Sequence, residues 1–155
     1  MPLVPPSGTF DGPLHSFPVR VYYEDTDLSG IVYHANYLRW FERARSDMLR
    51  LLGIDQRAAI EAGEGAYAVA DLQLAYKRPA KLDDDVLIES RCIELRAASV
   101  RMAQRALRGG ELLAEATLRV GFVAPDGRPR RQPAAWRAAF EPIIASEGAR
   151  LALPT

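Results

Sequence analysis

The longest hydrophobic pattern in the chain predicts a long amphipathic helix. After residue 36, apolar residues recur at the i, i+3, i+4, i+7 spacing of one helical face. The apolar face consists of Tyr37, Trp40, Phe41, Ala44, Met48, Leu51 and Leu52. The opposite, polar face consists of Arg39, Arg43, Ser46, Asp47 and Arg50. We expect the helix to begin near residues 34–36 and to end at Gly53, because glycine readily adopts the conformation that terminates helices.

Alternating patterns predict about five β-strands. Residues 17–23 are rich in β-formers and predict a first strand before the helix. A short second helix is expected over residues 55–62, and another is expected to begin at Pro133. Gly109-Gly110 predicts a hairpin turn between the last two strands. After the second helix, four consecutive antiparallel strands are expected over residues 67–77, 85–95, 99–108 and 111–123.

This order of elements favours the α+β class, in which a curved antiparallel sheet wraps around one central helix. Small residues would let the sheet approach the helix closely, namely Ala68, Ala70, Ala114 and Ala116. Residues 1–15 contain four prolines and two glycines, and we expect a poorly ordered tail. Residues 16–145 are then a single domain, and residues 146–155 a frayed C-terminus.

Composition excludes several classes of function. The chain has 20 Lys and Arg and 20 Asp and Glu, so it has no charge excess for nucleic acid or an acidic membrane. No run approaches the roughly 20 apolar residues of a membrane span, and the first residues lack a basic segment followed by an apolar core. Cys92 is the single cysteine, which fits a reducing compartment. We therefore expect a cytoplasmic protein.

Candidate chemistry lies where the chain enters the long helix. A carboxylate at the mouth of an apolar pocket has a raised proton affinity and can act as a base or nucleophile, and Asp27 is placed for this. His34 stands near the first helical turn, where unpaired backbone N–H groups can stabilise a negative oxygen. Together the two residues suit acyl transfer to water. Both also have structural readings, Asp27 as a turn cap and His34 as an exposed or capping residue.

Other residues have weaker signals. Tyr23, at the end of the predicted first strand, either hydrogen-bonds into the same volume or is a cross-strand aromatic. Lys77 and Arg78 are either solvated or bind the phosphates of a ligand. With two histidines and one cysteine, no metal site is expected. The sequence has no nucleophile elbow, phosphate-binding loop or dinucleotide-binding glycine motif.

Residues 19–45, VRVYYEDTDLSGIVYHANYLRWFERAR, resemble the signature of a known enzyme family. It is the hotdog-fold acyl-CoA thioesterases of the 4-hydroxybenzoyl-CoA thioesterase family, and the likeness extends over residues 17–135. The similarity is greatest to the bacterial subgroup associated with the Tol–Pal cluster. The segments YKRPA at residues 76–80 and LDD at residues 82–84 also resemble this family.

The resemblance implies functional roles for individual residues. The catalytic aspartate falls on Asp27, the amide that polarises the thioester carbonyl on His34, and the active-site tyrosine on Tyr23. No metal or cofactor is implied, and coenzyme A enters only as part of the substrate. Further substrate contacts are expected from Gly30, Val32, Tyr33, Lys77, Arg78 and Pro79.

The resemblance also implies a homodimer or homotetramer whose sheets join edge to edge, with active sites at the subunit interface. The acyl group would lie in a tunnel along the helix, and its depth would depend on Trp40, Phe41, Tyr67 and Val69. The expected substrates are acyl-CoA and, as a second candidate, acyl carrier protein thioesters. Two alternatives are a hotdog dehydratase, disfavoured because His34 lacks the H-F-P context, and a non-hydrolytic acyl-thioester-binding protein, which would not need Asp27.

Overall fold

A computed structural model describes residues 2–144 of the chain, so the predicted frayed segment at residues 146–155 lies outside the described residues. Six strands form one antiparallel sheet. The strands are β1 (Thr9–Asp11), β2 (Leu14–Arg20), β3 (Ala66–Tyr76), β4 (Asp85–Leu95), β5 (Ser99–Arg108) and β6 (Glu111–Val123). The helices are α1 (Asn36–Leu51), α2 (Gln56–Glu61) and α3 (Ala134–Phe140), with 3-10 turns at Tyr23–Asp25 and Glu141–Ile143.

The α+β class and the long helix are confirmed. The predicted bounds of β4, β5 and β6 agree with the structure, and those of α1, α2 and β3 agree to within one or two residues at each end. Gly109 and Gly110 form the predicted hairpin turn, with φ angles of 55° and 84°. Both residues therefore adopt the left-handed conformation that tight hairpin turns require, which explains why the pattern identified this turn.

The order of the strands differs from the expected run of four neighbours. In the sheet the order is β1-β2-β4-β5-β6-β3, so β3 pairs with β6 at an edge and β4 pairs with β2. Hydrophobic alternation shows which face of a strand is buried, but it does not show which strands are neighbours. As a result of this order, the 11-residue strand β3 lies at the edge of the sheet and has one unpaired edge.

Helix α1 packs across one face of the sheet and joins two clusters of buried side chains. Its first half, including Trp40 and Phe41, packs with β2 and β4, while Met48 and Leu49 pack with β5, β6 and α3. Ala114 and Ala116 are buried as expected, so they permit close approach. Ala68 and Ala70 are exposed, contrary to expectation, because β3 is an edge strand whose register shifts between Val69 and Asp71.

One residue on the polar face of α1 is buried. Asp47, which the pattern places on that face, is only 8% exposed. Its carboxylate accepts hydrogen bonds from Ser7 Oγ at 2.6 Å, from the Gly8 amide at 2.9 Å and from His15 Nε2 at 2.7 Å. A side chain at position 8 would not fit, since a Cβ there would lie 2.3 Å from the carbonyl oxygen of Ser16.

These contacts also correct the prediction of a disordered tail over residues 1–15. Residues 9–11 form β1, β2 begins at Leu14, and His15 is completely buried. The proline and glycine content suggested disorder, but the partners that order the segment lie on α1, far away in the sequence. No helix in the described part of the chain is long and apolar enough to cross a membrane.

We predict that Asp47→Asn lowers the free energy of unfolding at pH 7 by about 1–3 kcal/mol, because the hydrogen bonds to an ionised carboxylate are lost. Burial raises the pKa of Asp47, but the hydrogen bonds from Ser7, His15 and Gly8 outweigh burial and hold that pKa below its ordinary value. The stabilisation is therefore complete above the unfolded pKa of about 4 and is lost as the pH falls through the lower folded value.

Urea unfolding of the wild type and Asp47→Asn at pH 7 and pH 3 measures this effect. The difference in unfolding free energy should shrink at pH 3. Asp85→Asn is the control, because the Asp85 side chain is 80% exposed. A difference that stays the same at both pH values would contradict an ionised Asp47 as the source of the stabilisation.

Candidate active site

Asp27 lies on a small closed loop in front of α1. The amide of Asp27 donates to the carbonyl of Ile31 at 2.9 Å, and Thr26 and Val32 form an antiparallel bridge. Gly30 has a φ of 85°, in the left-handed region, and its amide donates to the Asp27 carbonyl at 3.1 Å. A residue with a side chain would be strained at Gly30, so the glycine is required for the loop that presents Asp27.

The carboxylate of Asp27 is exposed and hydrogen-bonded within the loop. Its Oδ1 accepts from the amide of Ser29 at 2.8 Å and from the Ser29 hydroxyl. These bonds, the hydroxyl first, hold the pKa of Asp27 below its ordinary value. The expected rise in proton affinity is therefore wrong for the subunit, since hydrogen bonds to the charged form act where burial was anticipated. Asp27 is ionised at neutral pH.

His34 occupies the turn that leads into α1. The carbonyl of Tyr33 accepts from the amide of Asn36 at 2.8 Å, and the His34 carbonyl accepts from the Tyr76 hydroxyl at 2.7 Å. The rings of Tyr33 and His34 pack with centroids 4.5 Å apart. In the described part of the chain, no group accepts a hydrogen bond from the His34 amide. A fixed backbone with an unengaged N–H suits stabilisation of a developing oxyanion.

Asp25 connects these parts. Its carbonyl accepts from the Tyr33 amide at 2.8 Å, and its carboxylate accepts from the Tyr22 amide at 2.8 Å and from the Asn36 side chain. Asp25 therefore joins the 3-10 turn, the loop and the first residue of α1. Neither Asp25 nor Asn36 was among the predicted site residues, although the amide side chain of Asn36 at a helix start was an available signal.

A cleft of about 300 Å³ opens beside His34. It brings together five of the predicted site residues: Val32, His34, Lys77, Arg78 and Pro79. Ile31, Tyr37 and Tyr76 complete the lining. Asp27, Gly30, Tyr33 and Tyr23 lie outside this lining in the single subunit. Tyr76 was not among the predicted site residues, although it directly precedes the predicted Lys77-Arg78-Pro79.

Tyr23 is not at the end of a strand, because β2 stops at Arg20 and Tyr23 begins the 3-10 turn. The capping bond from the Tyr22 amide to Asp25 ends the extended backbone earlier than the β-forming composition predicts. Tyr23 is 82% exposed. Its expected role in catalysis stays a prediction.

The two cations that line the cleft, Lys77 and Arg78, each lie near a glutamate. Lys77 Nζ lies 3.9 Å from Glu115, and Arg78 Nε lies 3.4 Å from Glu111. Both cationic side chains are about half exposed or more, so the ion pairs are weak and leave both groups accessible to an anionic ligand.

A second, apolar cavity of about 230 Å³ lies between α1 and the sheet, next to the start of β3. Its lining includes Tyr67 and Val69, two residues predicted to set the depth of an acyl tunnel. Two charged side chains, Glu42 and Arg45, also contribute to it. The remaining lining residues are Ser46, Leu49, Gln56, Ala68, Val100, Met102, Val120 and Phe140.

Cys92 lies outside the lining of both cavities. Burial raises the pKa of the Cys92 thiol to about 12, so it is not a nucleophile at neutral pH. Across the described residues, no group of three or more His, Cys, Asp or Glu side chains is placed to hold a metal ion.

Comparisons with known proteins agree with these features. Residues 21–143 match the family model described as the thioesterase-like superfamily. The chain is 45% identical over 108 residues to the acyl-CoA thioesterase YbgC of Haemophilus influenzae, covering 70% of this chain and 79% of the relative. It is 40% identical over 130 residues to the acyl-CoA thioester hydrolase YbgC of Escherichia coli O157:H7, covering 83% and 96%.

Among solved structures, a probable thioesterase from Bartonella henselae is similar to this chain. It has a TM-score of 0.73 and 36% sequence identity, covering 77% of this chain and 99% of the other. The match to the family model extends from the end of β2 to the 3-10 turn after α3, so it includes the loop and both cavities. The chain therefore belongs to the thioesterase-like superfamily and has its hotdog fold, as the resemblance of residues 19–45 predicts.

Proposed function

We propose that this chain is an acyl-CoA thioesterase, which hydrolyses the thioester to a free acid and a thiol. Relatives that are 40–45% identical carry this activity in their names. The observation that carries the proposal is an ionised, loop-held Asp27 on the loop that leads to the unengaged amide of His34, at the start of a 16-residue helix. No observation favours the dehydratase or the non-hydrolytic binding protein.

In the proposed mechanism, the thioester carbonyl oxygen accepts a hydrogen bond from the His34 amide. The positive end of the α1 dipole adds to the stabilisation as negative charge develops on that oxygen. The His34 side chain positions substrate or water. Asp27 acts in one of two ways, which stay open. It either attacks the carbonyl carbon and expels the thiolate, leaving a mixed anhydride that water hydrolyses, or it removes a proton from the attacking water.

The remaining predicted residues have substrate-binding roles in this proposal. Lys77 and Arg78, at the cleft rim, pair with phosphates of coenzyme A. Gly30, Val32, Tyr33 and Pro79 shape the path of the pantetheine arm, and Tyr23 hydrogen-bonds near the carbonyl. Acyl carrier protein presents the same type of arm and is a second candidate acyl donor. A cytoplasmic location fits the single buried thiol, and membership of the Tol–Pal-associated subgroup stays a prediction.

The active form is proposed to be a homodimer joined through β3, and a homotetramer would be a pair of such dimers. One sheet edge, β1, has three residues, whereas the other, β3, has 11 and needs covering. A twofold axis pairs a strand with an antiparallel copy of itself. Pairing about the centre of β3, at Asp71, places residues 67–69 of one copy beside residues 73–75 of the other, and Tyr76 beside Ala66.

In this symmetric dimer, the two cavities would belong to one binding site. The apolar cavity includes residues 67–69, and the His34 cleft includes Tyr76. In the dimer, the acyl cavity of one subunit therefore adjoins the His34 cleft of its partner. The thioester would lie at Asp27 and His34 of one subunit, with the acyl group reaching into the other.

We predict that Asp27→Asn lowers kcat/KM for acyl-CoA by on the order of 10²- to 10⁴-fold, because the base or nucleophile is lost. Thiol release from a panel of acyl-CoAs, followed with a thiol dye, measures this. Asp126→Asn is a matched control, because Asp126 also accepts from the amide two residues later at 3.0 Å. Equal thiol release by Asp27→Asn and wild type would defeat the hydrolase assignment, and an enoyl product without thiol would indicate a dehydratase.

Ser29→Ala should move the acidic limb of the pH profile of kcat/KM to higher pH. Asp27 acts in its ionised form, and the Ser29 hydroxyl is the first cause of its lowered pKa. Removing the hydroxyl raises that pKa, so more of the enzyme is protonated at a given acidic pH. Ser29→Thr, which keeps the hydroxyl, should retain the wild-type profile. Identical acidic limbs for wild type and Ser29→Ala would show that Asp27 is not the group that titrates.

Mixed dimers test whether two subunits share one site. Asp27→Asn removes the carboxylate, and Val69→Trp fills the acyl cavity, so each variant alone should be nearly inactive. When equal amounts are unfolded and refolded together, hybrid dimers pair an intact Asp27 with an intact cavity from the other chain. About a quarter of the wild-type activity should return. If both parts of a site came from one chain, mixing would restore nothing.

A further inference from the structure

Arg45 is a buried cation in the wall of the apolar cavity. Its residue exposure is 9%, and it lies on the inner side of α1. Its Nη1 donates to the side-chain oxygen of Gln104 at 2.8 Å. Gln104 in turn donates to the carbonyl of Phe41 and to the Ser90 hydroxyl, both at 2.9 Å. In the described part of the chain, no carboxylate lies within 4 Å of the Arg45 guanidinium.

A guanidinium in this position carries five N–H donors and stays protonated. None of its nitrogens is both buried and without a partner, so the N–H groups that Gln104 does not bind are open to the cavity that Arg45 lines. Burial lowers the pKa of Arg45, and the nearby Glu42 opposes this effect from an exposed position at the cavity. Gln104 is a neutral acceptor, and it binds only the Nη1 group of the Arg45 guanidinium. The cavity wall therefore combines apolar surface with one incompletely paired positive charge.

The chemistry of Gln104 does not explain why an arginine is present. The Gln104 amide already links β5 to the backbone of α1 and to β4 through Phe41 and Ser90, and these bonds do not need a charge at position 45. Arginine is instead the side chain best suited to binding a carboxylate through paired hydrogen bonds. An anionic group inside the cavity would supply the acceptors that the fold leaves out.

We propose that Arg45 selects acyl groups that end in a carboxylate, so that the preferred substrates are coenzyme A thioesters of dicarboxylic acids. This inference rests on the proposed function, in which the cavity holds the far end of the acyl group. The terminal carboxylate pairs with the free N–H groups of Arg45 while the methylene chain lies against the apolar wall. A plain alkyl chain of the same length leaves the charge unpaired and binds less well.

Glutaryl-CoA and pentanoyl-CoA test this, because the two acyl groups have the same number of carbons and differ only at the terminal group. The wild type should favour glutaryl-CoA in kcat/KM by about 10- to 100-fold, as expected for a charged hydrogen bond. Arg45→Met keeps the apolar stem and should remove the preference. Arg45→Lys should keep part of it, and Arg39→Met, an exposed change on the same helix, should leave it intact.

Binding measurements separate this inference from the proposed function. Dissociation constants of both thioesters are measured with Asp27→Asn and with the double variant Asp27→Asn/Arg45→Met. Tighter binding of glutaryl-CoA that disappears in the double variant supports the role of Arg45 even if no acyl-CoA is hydrolysed, a result that would defeat only the thioesterase proposal.

Equal affinity of the Asp27→Asn protein for both thioesters overturns the inference, and this result does not depend on whether an Arg45 variant folds. A folded Arg45→Met protein, checked by circular dichroism, that loses activity equally on both substrates also overturns it. In that case Arg45 only supports the Gln104 network.

Discussion

The hydrogen bonds of Asp25 are the constraint on which the candidate site depends. One residue accepts from the 3-10 turn at Tyr22, from the loop at Tyr33 and from the helix start at Asn36. Asp25 therefore links the 3-10 turn, the loop that carries Asp27 and the start of α1. Without Asp25, the loop would keep its internal bonds and the bond from Tyr76 to the His34 carbonyl, but it would lose its side-chain link to the first residue of α1.

Polar groups buried beneath α1 fix the helix on the sheet in the same way. The Gln104 side chain, on the sheet, donates a hydrogen bond to the Phe41 carbonyl. The Asp47 carboxylate accepts hydrogen bonds from Ser7 and Gly8 in the N-terminal segment. Apolar packing alone would tolerate small shifts of a helix along a sheet, whereas a buried hydrogen bond left unmade costs about 1–3 kcal/mol. These bonds therefore define how far along the sheet α1 lies, and so where the His34 amide is presented.

The sequence predicted the parts of the fold that depend on local pattern. The stripe from Tyr37 to Met48 identified α1, and the glycines at 109 and 110 identified a turn that needs positive φ angles. It could not predict contacts between distant segments. The pairing of β3 with β6 and the burial of Asp47 beneath residues 7–15 each need partners many positions away. In the candidate site, the motif predicted a role for Asp27. The lowered pKa of Asp27 depends on the orientation of the Ser29 side chain, and the spacing of residues in a sequence does not specify that orientation.

The exposure of Asp27 is consistent with a site that two subunits complete. A carboxylate kept ionised by loop hydrogen bonds is ready to act, yet in water its charge is well solvated and its reactivity is modest. In the proposed dimer, a partner that covers the loop would remove that water, while the bonds from Ser29 keep the charge in place. Two requirements of the chemistry would then be met separately: the loop of each subunit sets the protonation state, and assembly through β3 would supply the enclosed environment.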